Sequence, residues 1–167
     1  MIENRRTLIL AAALTALLAV LYVTLLLLPE REAYHPSQDQ ISLLSINPVD
    51  IHMAQTRRGD ERHLYEQRGG AWYRDGEAVD YNATDLKITY ISYLYSDNLV
   101  AEASENLGIY GLDEPRAEAS FETFDGESHR VLFGIETVNQ KSRYMMLEGR
   151  SEVYTVPVEA YELIFES

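Results

Sequence analysis

The chain contains no cysteine, and this absence removes several classes of protein from consideration. Disulfide scaffolds, cysteine zinc sites, thiol nucleophiles and acylated lipoproteins all need a cysteine side chain. The 167 residues also lack the H-E-x-x-H, G-x-S-x-G and S-x-x-K motifs of hydrolases and the G-x-x-x-x-G-K-[ST] loop of ATPases. We therefore predict a protein that is not an enzyme, that needs no cofactor and whose folded part depends on a hydrophobic core.

Basic side chains are scarce in this sequence. The chain has 14 lysines and arginines against 27 aspartates and glutamates, and residues 29–167 contain 12 of the basic and 26 of the acidic side chains, a net charge of −14. A surface of this sign repels nucleic acid and anionic lipid head groups. Nucleic acid is therefore not expected as a partner, and the plainest role of the acidic charge is solubility.

Charge is missing altogether from residues 8–28, which read LILAAALTALLAVLYVTLLLL. As a helix this run would be about 30 Å long, the thickness of the hydrocarbon core of a bilayer. Arg5 and Arg6 precede the run, and Arg31 follows it between two glutamates. Since basic flanks stay inside, we predict a cytoplasmic tail at 1–7 and a single transmembrane helix in the cell (inner, cytoplasmic) membrane.

A cleavable signal peptide is the alternative to a permanent anchor. Such a peptide has an apolar core of roughly 7–15 residues followed by small residues at the cleavage site. Here the run is longer, and Arg31 stands two places before Ala33, where a small residue is needed. We therefore predict an anchor that stays in the lipid bilayer. Residues 29–42 hold two prolines and predict an extended stalk, and 43–167 predict an extracytoplasmic domain.

Short alternating segments and turn signals fill this domain, with two helical patterns among them. The first helix is predicted to begin after Asn82, with an apolar face made of Leu86, Tyr90, Tyr93 and Leu94 and widened by Ile88, Ile91 and Tyr95. The second is predicted at Val158–Phe165, and strands are predicted at Ile51–Thr56, His63–Gln67, Ala71–Arg74, Val100–Ala103, Ala119–Phe124, His129–Phe133, Ser142–Leu147 and Glu152–Val156.

The order of these elements predicts the α+β class, with one N-terminal transmembrane helix followed by an antiparallel-sheet domain and two packed helices. Each half of the domain contains a hairpin, an aromatic-bearing strand and then a helix. This shared plan indicates a divergent tandem β-meander–helix repeat with halves at 43–99 and 100–167.

Oxygen-rich side chains precede the first predicted helix, at Asp75, Glu77, Asp80, Asn82 and Asp85. Calcium takes six to eight oxygen ligands, so Asp75, Glu77 and Asp80 form a weak candidate metal site. The spacing does not match an EF-hand, and a solvated loop with a helix cap is the favoured interpretation.

Two histidines on the first predicted hairpin, His52 and His63, form a second candidate metal pair. No third ligand lies close to them in the sequence, and structural zinc sites use four. Two half-exposed strand residues are therefore the favoured interpretation.

Arginines and aromatic residues supply the candidate partner-binding side chains. Arg57, Arg58, Arg62 and Arg68 cluster on the first hairpin of an acidic domain, where they could meet an anionic partner or lipid head groups; the first three are the candidates for partner binding. Trp72, Tyr90 and Tyr93 would add a binding surface if they were exposed together. Charge balance for the arginines and core packing for the aromatic side chains are the alternatives.

From Ile46 onward the sequence resembles the domain of unknown function 4340 family of prokaryotic proteins. The resemblance depends on the stretches INPVDI, GGAWYR, NLGIYGLDEPRAEASFETFDG, VLFG, RYMML and VYTVP. It implies a membrane-anchored domain without an assigned activity, and some relatives accompany components of gliding-type ABC export systems. The motif residues to which it assigns a structural role are Gly111, Leu112, Asp113, Pro115, Asp125 and Gly126.

These observations lead to one function hypothesis and two alternatives. The first is a non-catalytic, single-pass, membrane-anchored extracytoplasmic domain that engages another protein, with an ABC-type transporter subunit as the implied candidate. The second is an extracytoplasmic ligand-binding module for a cation or a cell-wall polymer. An unrecognised hydrolase is the third, and it would require facing carboxylates in a cleft.

Overall fold

The computed structural model describes residues 40–166 and three isolated residues, Thr15, Leu18 and Tyr22. The predicted cytoplasmic tail, the transmembrane helix as a segment and most of the stalk lie outside the described residues. Among the residues that are described, no helix has both the length and the apolar character needed to cross a membrane. Pro36–Ser167 form one compact unit.

Eleven strands occur in the described part of this unit. Their bounds are β1 Ile41–Ser42, β2 Ile51–Arg58, β3 Glu61–Arg68, β4 Ala71–Arg74, β5 Glu77–Ala78, β6 Tyr95–Ser96, β7 Asn98–Ala101, β8 Ala117–Thr123, β9 Ser128–Glu136, β10 Ser142–Leu147 and β11 Val153–Pro157. Nine of them form one antiparallel sheet in the order β5–β4–β3–β2–β8–β9–β10–β11–β7, and β1 pairs with β6.

Two helices, α1 (Tyr81–Ser92) and α2 (Val158–Phe165), pack against the sheet and against each other. The α+β class with an antiparallel sheet and two packed helices is therefore confirmed for the domain. The strand predicted at 100–103 begins two residues earlier, at Asn98. Consequently β7 spans the 99/100 boundary that separates the predicted half-repeats.

The start and the buried face of α1 differ from the prediction. Asp80, not Asn82, caps the helix, because its Oδ1 accepts a hydrogen bond of 2.8 Å from the Ala83 amide. Ile88, Ile91 and Leu94 of the predicted apolar face are buried, but Leu86 is 48% exposed, and the polar residues Thr84, Lys87 and Ser92 share the buried face of α1. The apolar residues of α1 are spread around its circumference, so packing against the sheet, and not the sequence pattern, selects the face.

The main hydrophobic core lies between the sheet and the two helices, and Trp72, Phe133 and Ile164 are among its fully buried side chains. A smaller cluster contains Met146 and Leu112. Because successive strand residues point to opposite faces, Met145 in the main core and Met146 in the smaller one place the two clusters on the two faces of β10. The smaller cluster is covered by the 3₁₀-helix Leu107–Tyr110 and the residues that follow it.

Apart from β7 at one edge, the strand order is symmetric about the central pair β2–β8, since β3, β4 and β5 continue it on one side and β9, β10 and β11 on the other. Two reciprocal hydrogen bonds join the halves. The Gly59 amide, after β2, donates to the Arg116 carbonyl before β8 (2.7 Å), and the Phe124 amide, after β8, donates to the Asp50 carbonyl before β2 (2.8 Å). A tandem meander–helix repeat predicts this arrangement, and the common origin of the halves stays a prediction.

Candidate functional site

A cleft of about 690 Å³ opens at the end of the sheet where β2 ends and β8 begins. One wall is the β2–β3 turn with Arg58, and another is the segment before β8 with Arg116. Arg143 at the start of β10 and Tyr161 on α2 complete it. We call this site the arginine cleft, defined by Arg58, Arg116, Arg143 and Tyr161.

Two guanidinium groups contact the Tyr161 ring. The Cζ atom of Arg143 lies 4.4 Å from the ring centroid, and that of Arg58 lies 5.3 Å from it. The ring is otherwise enclosed by the core, including an edge-on contact with Phe133 at 5.5 Å between centroids. Burial raises the pKa of the Tyr161 hydroxyl, so the phenol stays neutral at physiological pH. The ring thus holds two arginines at the wall of the cleft by cation–π attraction.

Glutamates neutralise two of the three arginines. Arg58 donates to both carboxylate oxygens of Glu162, at 2.7 and 3.1 Å, and this hydrogen bonding raises the pKa of the Arg58 guanidinium. Arg143 donates to Glu136 at 2.6 Å and to the Gly134 carbonyl at 3.0 Å. Arg116 is exposed and makes no ion pair with any residue in the described range.

The arginine cleft can therefore recognise carboxylate or phosphate groups, because guanidinium groups donate two parallel hydrogen bonds to such oxygens. Arg116 has no ion-pair partner among the described residues, and a stronger acceptor could replace the glutamates that pair with Arg58 and Arg143. No serine, threonine or cysteine lines the cleft among the described residues.

Close backbone packing of two glycines forms the floor of the cleft. A Cβ atom on Gly134 would lie 2.0 Å from the Tyr110 carbonyl oxygen. Gly111 has a φ of +65° at the end of the 3₁₀-helix, and a Cβ there would lie 2.7 Å from Cγ2 of Ile135. Glycine is needed at both positions for the segment before β8 to lie directly on β9.

The remaining motif residues of the 111–116 segment fix its path. Leu112 is buried in the smaller core cluster, and its amide donates to Leu107 at 3.1 Å. Asp113 accepts a hydrogen bond from the Glu114 amide at 3.0 Å, and the Pro115 carbonyl accepts one from Arg57 at 2.9 Å. Each of these residues thus makes a local contact in the structure, and the structural roles that the family resemblance assigns to them stay predictions.

Asp125 and Gly126 form the turn between β8 and β9. The Thr123 hydroxyl donates to Asp125, and this hydrogen bond lowers the pKa of the Asp125 carboxyl. Gly126 has a φ of +88°, and its amide donates to the Thr123 carbonyl at 3.0 Å. The hairpin signal in the sequence therefore corresponds to a tight turn that glycine favours.

The arginines predicted to form one cluster are divided between the two faces of the sheet. Arg57 and Arg62 are cross-strand neighbours on the face away from the helices, and Arg57 pairs with Glu118 at 3.1 Å. Hydrogen bonding to Glu118 raises the pKa of Arg57, and the same contact lowers the pKa of Glu118. Arg58, one residue later, points to the helix side and enters the arginine cleft.

The aromatic candidates do not form a common exposed surface. Trp72 is only 2% exposed and lies in the main core, and Tyr90 packs against that core. Tyr93 is half-buried at the C-terminal cap of α1. Trp72 and Tyr90 therefore contribute to core packing, and a role of Tyr93 in partner binding stays a prediction.

The oxygen-rich loop before α1 is occupied by internal contacts. Asp75 accepts hydrogen bonds from His63 at 2.8 Å and from the Leu64 amide at 2.9 Å, and Asp80 caps the helix. Glu77 is exposed on the edge strand β5. Across the described residues, no group of three or more aspartate, glutamate, histidine or cysteine side chains is arranged to hold a metal ion.

The two histidines of the first hairpin do not face each other. The register pairs His63 with Thr56, four residues along β2 from His52. His52 instead approaches Glu122 at 3.5 Å, on the neighbouring strand β8.

Three members of the arginine cleft were not predicted as site residues from the sequence. Arg116 and Arg143 are not part of an arginine cluster in the sequence, and Tyr161 lies within the second predicted helix. The signal available was the placement of Arg116 within the GLDEPR stretch. Their convergence with Arg58 depends on the pairing of β2 with β8, which joins residues far apart in the chain.

Comparison with protein families finds one match for this chain. A family model described as Domain of unknown function (DUF4340) matches residues 72–164, more than half of the chain and every member of the arginine cleft except Arg58. The match begins at Trp72, so residues 46–71 of the resemblance lie outside it. No curated protein and no solved structure matches the chain.

Proposed function

Because this chain belongs to the family Domain of unknown function (DUF4340), we propose a function in terms of binding and not of catalysis. The protein is a single-pass, membrane-anchored domain on the outer side of the cell membrane, and its arginine cleft binds an acidic segment of another protein. The uncharged run at 8–28 supplies the anchor. A subunit of an ABC-type export system is the partner that the family resemblance suggests.

The observation that carries this proposal is the meeting of family stretches at the arginine cleft. Gly111 and Arg116 come from the NLGIYGLDEPR stretch, Gly134 from VLFG and Arg143 from RYMML. Separate parts of the chain that carry the family resemblance thus build one concave surface. Concave surfaces that gather such residues are the usual places for recognition.

Charge supports an acidic partner segment. The part of the chain after the predicted anchor has a net charge of −14, yet three arginines line this one cleft. A partner carboxylate can pair with Arg116 directly and can exchange with Glu162 at Arg58. Such a contact adds specificity and orientation, because the rest of the acidic surface repels the same segment.

A crosslinking experiment in intact cells tests the binding proposal. Ile135 lines the cleft and is 52% exposed, so a photocrosslinking amino acid at this position reports what occupies the site. Val49, 65% exposed beside the start of β2, is the control position. We expect one discrete adduct from position 135, none of the same mass from position 49, and loss of the adduct with Arg116→Glu.

Identical adducts from positions 135 and 49, or none from position 135, would contradict the proposal.

The membrane anchor is tested in a separate experiment, which uses the lack of native cysteine in the chain. A membrane-impermeant maleimide should label Ser37→Cys in whole cells and Asn4→Cys only after lysis. Protection of position 37 in whole cells would show that the domain is not outside.

A further inference from the structure

A second pocket, of about 420 Å³, lies between α1, the strands β3 and β4, and the C-terminal end of α2. It shares no lining residue with the arginine cleft. We propose that this pocket binds a small organic anion, with a carboxylate or phosphate head at Lys87 and Tyr65 and a short apolar body. The inference is independent of the partner-binding function proposed for the cleft.

Lys87 supplies a buried positive charge with an incomplete set of partners. It is only 7% exposed, although lysine side chains are almost always at the surface. Its Nζ donates to the main-chain oxygen of Glu166 and lies 5.3 Å from the centroid of the Tyr65 ring. Among the described residues this ammonium has one hydrogen-bond acceptor and no carboxylate within 4.0 Å, although an ammonium can donate three hydrogen bonds.

Tyr65 supplies a second donor without a partner. The residue is 2% exposed, lines the pocket, and its hydroxyl is buried with no hydrogen-bond partner among the described residues. A buried hydroxyl without a partner costs about 1–3 kcal/mol. Arg74 is the cross-strand neighbour of Tyr65 and lines the same pocket, so a third donor group belongs to this wall.

Two carboxylates also line the pocket, and their positions leave the buried wall cationic. Asp80 is bound to the helix cap through its Oδ1 atom, and Glu166 is exposed. An anion at this wall would pair with the Lys87 ammonium and accept a hydrogen bond from the Tyr65 hydroxyl, which has no partner among the described residues, and this favours an anion over a cation of the same size.

The other walls of the pocket are apolar and define the body of the ligand. Val79, Ala83, Leu86 and Leu163 line it. Leu86, in the middle of α1, is 48% exposed and lines the pocket, so its side chain offers an apolar surface to a ligand. An apolar body lying on this residue would cover it, so the pocket fits an alkyl or aryl carboxylate or phosphate monoester better than a free inorganic ion.

Titration of the full chain, in a non-ionic detergent, with small probes tests this site. Butyl phosphate, butyrate, inorganic phosphate and butylamine are added while amide chemical shifts are followed by NMR. We expect one or both butyl anions to bind with a Kd of about 5 mM or tighter. Inorganic phosphate should bind more weakly and butylamine not at all, and the stronger of the two butyl anions identifies the head group.

The variant Tyr65→Phe tests whether the anion binds in this pocket, because it removes only the hydroxyl of Tyr65 and leaves the aromatic ring in place. We expect it to weaken the better butyl anion about tenfold, and Lys87→Met to weaken it at least as much. The matched controls are Tyr81→Phe, at a tyrosine 44% exposed, and Lys141→Met, at the other lysine of the chain, which is exposed. Both controls should keep the wild-type Kd.

Three results would overturn the proposal: no shift with any anion, equal binding of butylamine, or an unchanged Kd in Tyr65→Phe. Should Lys87→Met fail to fold, Tyr65→Phe still gives the decision. A partner adduct at the arginine cleft would be unaffected by either variant, so failure of this site and failure of the cleft are distinguishable.

Discussion

Replacing Gly134 with alanine is the sharpest test of how the segment before β8 lies on β9. The added Cβ would be 2.0 Å from the Tyr110 carbonyl oxygen and 3.2 Å from Cγ of Leu112. The first of these atoms belongs to the backbone of a 3₁₀-helix, so no rotation of a side chain relieves the clash. The whole segment must move away from β9 by about 1 Å or more to restore a normal contact.

The cost of this movement can be estimated from what the segment buries. Leu112, 2% exposed, packs with Met146 and Val153 in the smaller core cluster, and separation of the segment exposes it. Partial loss of this burial and the strain of overpacking are each worth about 1–3 kcal/mol. We therefore expect Gly134→Ala to lower the free energy of unfolding by about 2–4 kcal/mol, and the melting temperature by roughly 6–15 °C.

Fluorescence of Trp72, the single tryptophan and a core residue, reports unfolding of the full chain in urea. Gly108→Ala is the matched control in the same segment, because a Cβ there would meet only side-chain atoms, the closest being Oδ2 of Asp113 at 3.2 Å. It should cost less than about 1 kcal/mol. A Gly134→Ala protein within about 0.5 kcal/mol of wild type would refute the close packing of the segment on β9.

Three further predictions concern polar side chains. Tyr65→Phe should raise the free energy of unfolding of the ligand-free chain by up to about 1 kcal/mol in the same urea assay, because its buried hydroxyl has no partner in the described structure. Hydrogen bonding to Asp75, and to a smaller extent to Glu61, raises the pKa of His63 above its ordinary value of 6.5. The contacts of protonated His63 with these carboxylates therefore stabilise the fold fully below pH 6.5, and this stabilisation is lost as the pH rises through the folded pKa. Unfolding free energies measured from about pH 5 to 9 should show this decline in wild type and a flatter profile in Asp75→Asn. A double-mutant cycle with Arg58→Ala and Glu162→Ala should give a coupling of only about 0.2–1 kcal/mol, since both side chains are about one-third exposed or more.

Local signals in the sequence predicted most of the strands. Alternation of apolar and polar residues located the strands of both meanders, and Asp125-Gly126 located a hairpin turn. The same alternation places Arg57 and Arg58 on opposite faces of the sheet, so the division of these arginines between the two faces follows from a pattern that the sequence contains. Period, turn chemistry and composition are local properties, and they determine local structure.

Long-range pairing could not be obtained in this way. The cap of α1 is Asp80 and not Asn82, because two nearby acceptors satisfy the same rule and tertiary packing chooses between them. The arginine cleft requires β2 beside β8 and α2 over the sheet, and nothing near Arg58 in the chain indicates Arg143 or Tyr161. Residues without a local pattern are therefore the part of the site that only a structure brings together.

The symmetry of the sheet explains why the cleft is a good candidate for function. Its counterpart at the other end of the central strands combines the β8–β9 turn with the segment before β2, and it is lined by Asp50, Asp125 and Glu127. The reciprocal hydrogen bonds show that the two ends share one backbone plan. The arginine end is lined by three arginines together with Glu114 and Glu136, whereas the lining of the opposite end has three acids and no basic side chain. Under the proposed function, an acidic partner segment would therefore be steered toward the arginine end and repelled by the other.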